Sequence, residues 1–259
     1  MTKENTLHPD GYVTGSVHDH IATIEFFHPQ GNSLPGALLS SLAETITKAG
    51  NNKDAQVVVL RSAGEKAFCA GASFTELIAI QNEAEGMRFF SGFAKVINAM
   101  RKCPKFIIVR VQGKSVGGGV GLAAAADYAI AVEGADVKLS ELAVGIGPFV
   151  IGPAVERKIG VAAFSQLGIN ATAWQTAGWA HLAGLYTELH TTVTDMDAAI
   201  AGLARQLARF NPEAMAEMKK MFWQGTAHWD ELLHERAAVS GRLVLSDFSK
   251  KAIETFKAK

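Results

Sequence analysis

Cysteine is scarce: Cys69 and Cys103 are the only two in 259 residues, too few for a disulfide framework. Charge of either sign is not in excess. Lys plus Arg and Asp plus Glu number 25 each, so bulk electrostatics draw the chain neither to nucleic acid nor to a membrane surface. A local basic patch for an anionic ligand stays open. No window of about 18 uncharged apolar residues occurs, so no spanning helix is expected. The opening MTKENTLHPDGY is polar and lacks an apolar signal core. The expectation is a cytoplasmic protein. None of the eight histidines stands at metal-ligand spacing, and HDH at 18–20 reads as a turn, so no metal is expected. The G-x-G-x-x-G fingerprint with its downstream acid and the G-x-x-x-x-G-K-[ST] loop are both missing, which excludes a dinucleotide fold and a P-loop.

What is present is a large apolar fraction, 48%, enough for a sizeable core. YVTGSVHDHIATIEFF predicts two strands around a turn at Asp19 and His20. PGALLSSLAETITKAG has leucines at helical spacing, with Gly50 as a stop signal. AQVVVLRSAG and KFIIVRVQG read as buried strands, and GMRFFSGFAKVINAMRKC as an amphipathic helix ending near Pro104. DYAIAVEGADVKLSE predicts two more short strands. After Pro153 the pattern is mostly helical, with one last helix toward Lys259. Strands alternating with helices, followed by helices, predict an α/β core over residues 1–195 and a helical region over 196–259.

VVVLRSAGEKAFCAGA and FIIVRVQGKSVGGGVG are two copies of one plan: a buried strand, a polar turn, then small residues opening a helix. Glycine admits close approach of another group to the backbone, and a helix start carries free N–H groups. Two such starts, CAGA at 69–72 and GGGV at 117–120, can converge on one oxygen as an oxyanion hole. Tight helix packing is the alternative use of the same glycines.

KAFCAGASFTEL (66–77), GKSVGGGVGLAAAADYAIA (113–131) and KLSELAVGIGP (138–148) together resemble the crotonase family of acyl-coenzyme A enzymes. The likeness extends from PQGNSLPGALLSSL to FNPEAMAEMKKMF. It implies a spiral of ββα units with a helical C-terminal trimerisation region, assembled as a homotrimer or a dimer of trimers. It implies a coenzyme A thioester as substrate, with no permanently bound cofactor. The thioester oxygen would lie between the N–H groups of Ala72 and Gly118. Ser33, Leu34, Ala70, Ala72, Ser73, Phe74 and Gly118 fall at coenzyme-contacting positions by the same resemblance, although Ser73 stands where an aspartate is common.

Hydratases of the family carry two glutamates, one three residues after the central glycine of the triplet and one twenty residues later. Here the first position is Gly121 and the second is Glu141. The acid of the dienoyl isomerases falls on Phe149. One carboxylate suits an allylic double-bond shift better than addition of water. The leading expectation is therefore an enoyl-CoA isomerase with Glu141 as proton shuttle. Gly121 would be an emptied pocket corner or a helix-packing position. A solvated charge on an edge strand is the alternative for Glu141. Competing readings are an enoyl-CoA hydratase, including a branched-chain 3-methylglutaconyl type, a decarboxylase, and a catalytically silent CoA-binding subunit. Cys69 lies beside the loop but lacks an activating base. Lys250, Lys251, Lys257 and Lys259 are candidates for the coenzyme phosphates.

Overall fold

A computed structural model describes residues 11–257. The polar start of the chain and Lys259 lie outside the described residues. The first turn of the spiral is a hairpin, β1 (Tyr12–His18) and β2 (Ile21–Phe27), followed by α1 (Gly36–Asn51). Asp19 and His20 hold φ of 49° and 63°, the left-handed pair that a two-residue hairpin turn uses.

Three further turns repeat one plan. β3 (Val57–Ser62) and β4 (Ala67–Cys69) lead to α2 (Phe74–Ile78) and α3 (Glu83–Lys102). β5 (Ile107–Val111) and β6 (Lys114–Val116) lead to α4 (Gly118–Ala124). β7 (Tyr128–Val132) and β8 (Val137–Lys138) lead to a 3₁₀ turn at Glu141–Val144. The first strand of each unit joins a six-stranded sheet, and the second joins a three-stranded one. Apart from the β1–β2 hairpin, all these pairings are parallel. β3 and β5 are buried on both faces, as apolar runs of parallel strands require. The sequence echo seen in two copies is thus a threefold repeat. By placing β4 and β6 side by side, the spiral brings the two small-residue loops together.

The remaining elements are α5 (Gly152–Ile169), α6 (Ala177–Leu182), β9 (Glu188–His190), α7 (Val193–Leu207), α8 (Pro212–Phe222), α9 (Trp229–Leu243) and α10 (Asp247–Lys257). β9 completes the six-stranded sheet against β7. At three residues it is too short to show periodicity. The single last helix expected from the sequence is two, α9 and α10. Gly50 does not stop α1. It lies inside the helix, where a Cβ would sit 3.1 Å from Cys103 Sγ. The predicted start of α3 at Gly86 is late, because Asn82 caps the helix by accepting from the Glu85 N–H. The division at 195/196 falls within α7, which packs on the large sheet.

α9 crosses α3 closely, since a Cβ on Gly86 would lie 2.6 Å from Gly241 Cα. α8 is tied to the spiral by a buried ion pair, Lys219 Nζ to Asp127 Oδ2 at 2.8 Å, with side chains 3% and 5% exposed. Asp127 also accepts from the Ile107 N–H and from Trp223 Nε1, and Lys219 also donates to the Lys105 carbonyl. Such a pair stays favourable only when further hydrogen bonds satisfy it, as here; losing one partner typically costs ~3–5 kcal/mol.

Candidate active site

A cavity of about 420 Å³ opens between the two loops, α3 and the 3₁₀ turn. Its position follows from the glycine triplet, in which each residue admits a different neighbour. A Cβ on Gly117, whose φ is 53°, would stand 2.8 Å from Glu141 Oε1. One on Gly118 would stand 2.1 Å from Phe93 Cζ, and one on Gly119 2.3 Å from the Cys69 carbonyl oxygen. The triplet therefore seats the carboxylate, an aromatic wall and the neighbouring loop within three residues. These contacts are close packing, one of the two uses that the sequence allows for these glycines.

The CAGA loop is held by backbone pairing with the turn before α1. Leu34 N–H donates to the Gly71 carbonyl at 2.8 Å, and Ser73 N–H donates to the Leu34 carbonyl at 3.1 Å. Ser33 Oγ donates to the Ala72 carbonyl at 2.9 Å. These bonds leave the Ala72 N–H without an acceptor among the described residues, and the Gly118 N–H at the start of α4 is likewise unused. Gly71, at φ 93°, brings the loops together: a Cβ there would be 3.6 Å from the Gly118 nitrogen. Unpaired backbone donors are uncommon in protein interiors. Two beside one cavity make a site for an oxygen that carries negative charge.

Among the described residues, Glu141 is the ionisable side chain that lines the cavity. Its residue is half-buried, but Oε2 is sequestered from solvent with no hydrogen-bond partner. Desolvation pushes its pKa up to about 7. It lies in the 3₁₀ turn rather than on an edge strand, so the solvated-charge reading does not hold. Phe149 and Ile146 line the same cavity.

Of the residues expected at the site, Ser33, Ala70, Ala72, Phe74, Gly118 and Glu141 line the cavity. Leu34 and Ser73 do not. Leu34 is fully buried behind the loop, and buried Ser73 caps α2 by accepting from the Glu76 N–H. Gly121 is not an emptied corner, because the side chain of Ile151 fills the space: a Cβ on Gly121 would meet Ile151 Cγ2 at 2.6 Å. A glutamate could not stand there without displacing Ile151. Cys69 is buried, and its thiol is pushed up to about 12 by burial, so it is inert. Among the described residues no group of three His, Cys, Asp or Glu could hold a metal, and no helix is long and apolar enough to cross a membrane. Sequence reasoning missed the α3 wall of Phe89, Phe90 and Phe93. Its signal was the aromatic spacing in FFSGF, on a helix otherwise read only as amphipathic.

A spiral of ββα units with paired backbone donors and one desolvated carboxylate defines an acyl-thioester enzyme class. The sequence model described as enoyl-CoA hydratase/isomerase matches residues 16–259, and the chain belongs to that family of acyl-CoA enzymes. It is 30% identical over 198 residues to the mitochondrial methylglutaconyl-CoA hydratase of Rattus norvegicus, covering 75% of this chain and 62% of that protein. It is 29% identical over 137 residues to the ethylmalonyl-CoA decarboxylase of Gallus gallus, covering 52% of this chain and 46% of that one. The match thus spans about half the length of that relative. The structure of an enoyl-CoA hydratase from Bacillus halodurans superposes with a TM-score of 0.87 at 21% identity, covering 94% of this chain and 99% of that one, which shows the shared fold.

Proposed function

We propose that the protein moves a double bond in an acyl-CoA, from the 3,4 to the 2,3 position, with Glu141 as the only proton carrier. The observation that carries this reading is the single desolvated carboxylate, its Oε2 unpaired and its pKa near 7, beside two free backbone N–H groups. Ionised Glu141 takes the proton from C2. The electron pair left behind delocalises through the thioester carbonyl, and the charge on its oxygen is met by the Ala72 and Gly118 N–H groups. Protonated Glu141 then returns the proton to C4, the 3,4 double bond becomes 2,3, and the carboxylate is regenerated. Atoms and electrons balance without water or a bound cofactor. A base works best with a pKa near the working pH, which is what burial of Glu141 supports.

The likeness to the rat hydratase favours a second reading, addition of water to a 2-enoyl thioester. The filled corner at Gly121 speaks against it, since the second carboxylate has no room. Absorbance and mass together separate the two. A 3-enoyl-CoA should be converted to its 2,3 isomer, read by the ultraviolet absorbance of the conjugated thioester at unchanged mass, whereas no isomerisation together with a 2-enoyl-CoA that gains one water would overturn the proposal.

The same reading includes assembly into trimers or pairs of trimers. It is supported by exposed apolar side chains on the C-terminal half, including Val161 at 65%, Ile169 at 74% and Leu182 at 88% exposed. A monomer in sedimentation at micromolar concentration would contradict it.

A further inference from the structure

We propose that the site accepts an uncharged acyl group with a bulky apolar end, an aryl group foremost, and rejects acyl groups ending in a second carboxylate. The inference rests on the acyl-thioester reading above and specifies its substrate.

Two elements build the wall. α3 contributes Phe89, Phe90 and Phe93, and the loop after the 3₁₀ turn contributes Phe149 and, at its end, Ile151. Phe93 lies directly over Gly118, so it faces the first carbons of an acyl group whose oxygen rests on that N–H. Phe89 and Phe90 meet edge to face, with centroids 5.0 Å apart and planes at 87°. Aromatic pairs in this geometry offer faces and edges on which a third ring can pack. The cavity volume lies within the usual range for a small-molecule site, and such sites bind largely through apolar walls with few polar groups.

The charged group lining this cavity, among the described residues, is Glu141. A terminal carboxylate on the acyl chain would enter a desolvated space beside a carboxylate. It would meet like charge and, among the described residues, find no cation lining the cavity, and burying an unpaired charge is costly. The polar side chains lining it offer no positive charge to offset this: Ser240 Oγ already donates to the Arg236 carbonyl and Ser33 Oγ to that of Ala72, and Gln30 and Ser140 are neutral.

The test is calorimetric binding to wild-type protein of three non-reacting ligands: 4-phenylbutanoyl-CoA, glutaryl-CoA and free coenzyme A. The expected order places the phenyl thioester at least tenfold tighter than glutaryl-CoA, with glutaryl-CoA no tighter than the free coenzyme. Glutaryl-CoA binding as tightly as the phenyl thioester would overturn the inference while leaving the acyl-thioester reading intact. If neither thioester bound better than free coenzyme A, that underlying reading would fail, and the inference with it. A Phe149→Arg variant adds a second arm. It should narrow or reverse the preference by placing a cation opposite the acyl end, and an unchanged preference in the folded variant would also count against the proposal.

Discussion

Glu141→Gln is expected to lower kcat by ~10²–10⁴-fold while leaving KM within a few-fold, because a positioned general base contributes about that much to the chemical step and little to binding. Glutamine keeps the shape of the side chain over Gly117 but cannot take a proton. In the wild type, kcat/KM should rise with pH through about 7 and then level off, because the working form of Glu141 is the ionised one and burial holds its pKa there in the free enzyme. Stability should run the opposite way. Between the ordinary glutamate value of 4.5 and about 7, the native protein retains a proton that the unfolded chain has released, so stability falls as pH rises. Above about 7 the full cost of the buried charge is present, roughly 3 kcal/mol for a shift of this size. Glu141→Gln should therefore melt at a higher temperature than wild type at pH 8 and at nearly the same temperature near pH 4.5. A variant that was inactive but less stable at pH 8 would point to a structural role for Glu141.

The second large effect concerns the backbone donors. Ala72→Pro removes one N–H and should reduce kcat by ~10²–10³-fold, the loss typical when one oxyanion donor is deleted. Ala72→Gly, which keeps the N–H, should retain most of the activity. Position 72 is the cleaner choice, because any side chain at Gly118 would strike the Phe93 ring and confound the lost donor with a displaced wall. The measurement is steady-state kinetics on variants whose circular dichroism matches wild type. Equal activity of the proline and glycine variants would remove Ala72 from the oxyanion role.

The fold and the small-residue loops that line the cavity were legible in the sequence for a physical reason. Parallel strands buried on both faces must be continuous apolar runs, and loops that meet a ligand through their backbone must be rich in small residues, so VVVL, FIIV, CAGA and GGG announce themselves. A lone acid in an apolar segment makes Glu141 conspicuous, but its candidate role comes from the register of the family resemblance and not from the segment itself. The rest depends on contacts across the chain. Gly118 against Phe93, Gly121 against Ile151, Gly50 against Cys103 and Gly86 against Gly241 are all glycines whose reason lies on another element. From the sequence alone Gly121 suggests an emptied corner or a helix-packing position, and the Ile151 side chain that occupies the space decides for packing. Ser73 shows the same limit: it caps α2 and is buried, although its place in the motif suggests a coenzyme contact.

The measurement that bears most directly on a single carboxylate working against two backbone donors is hydrogen exchange into the substrate. A 3-enoyl-CoA is incubated in D₂O with wild type and with Glu141→Gln, and deuterium at C2 and C4 is followed by NMR. Wild type should shift the double bond and introduce deuterium at these carbons to the extent that protonated Glu141 exchanges with solvent between the two transfers, and Glu141→Gln should shift the bond at least ~10²-fold more slowly. Equal rates in the two proteins would mean that another group moves the proton, and would contradict the role given to Glu141.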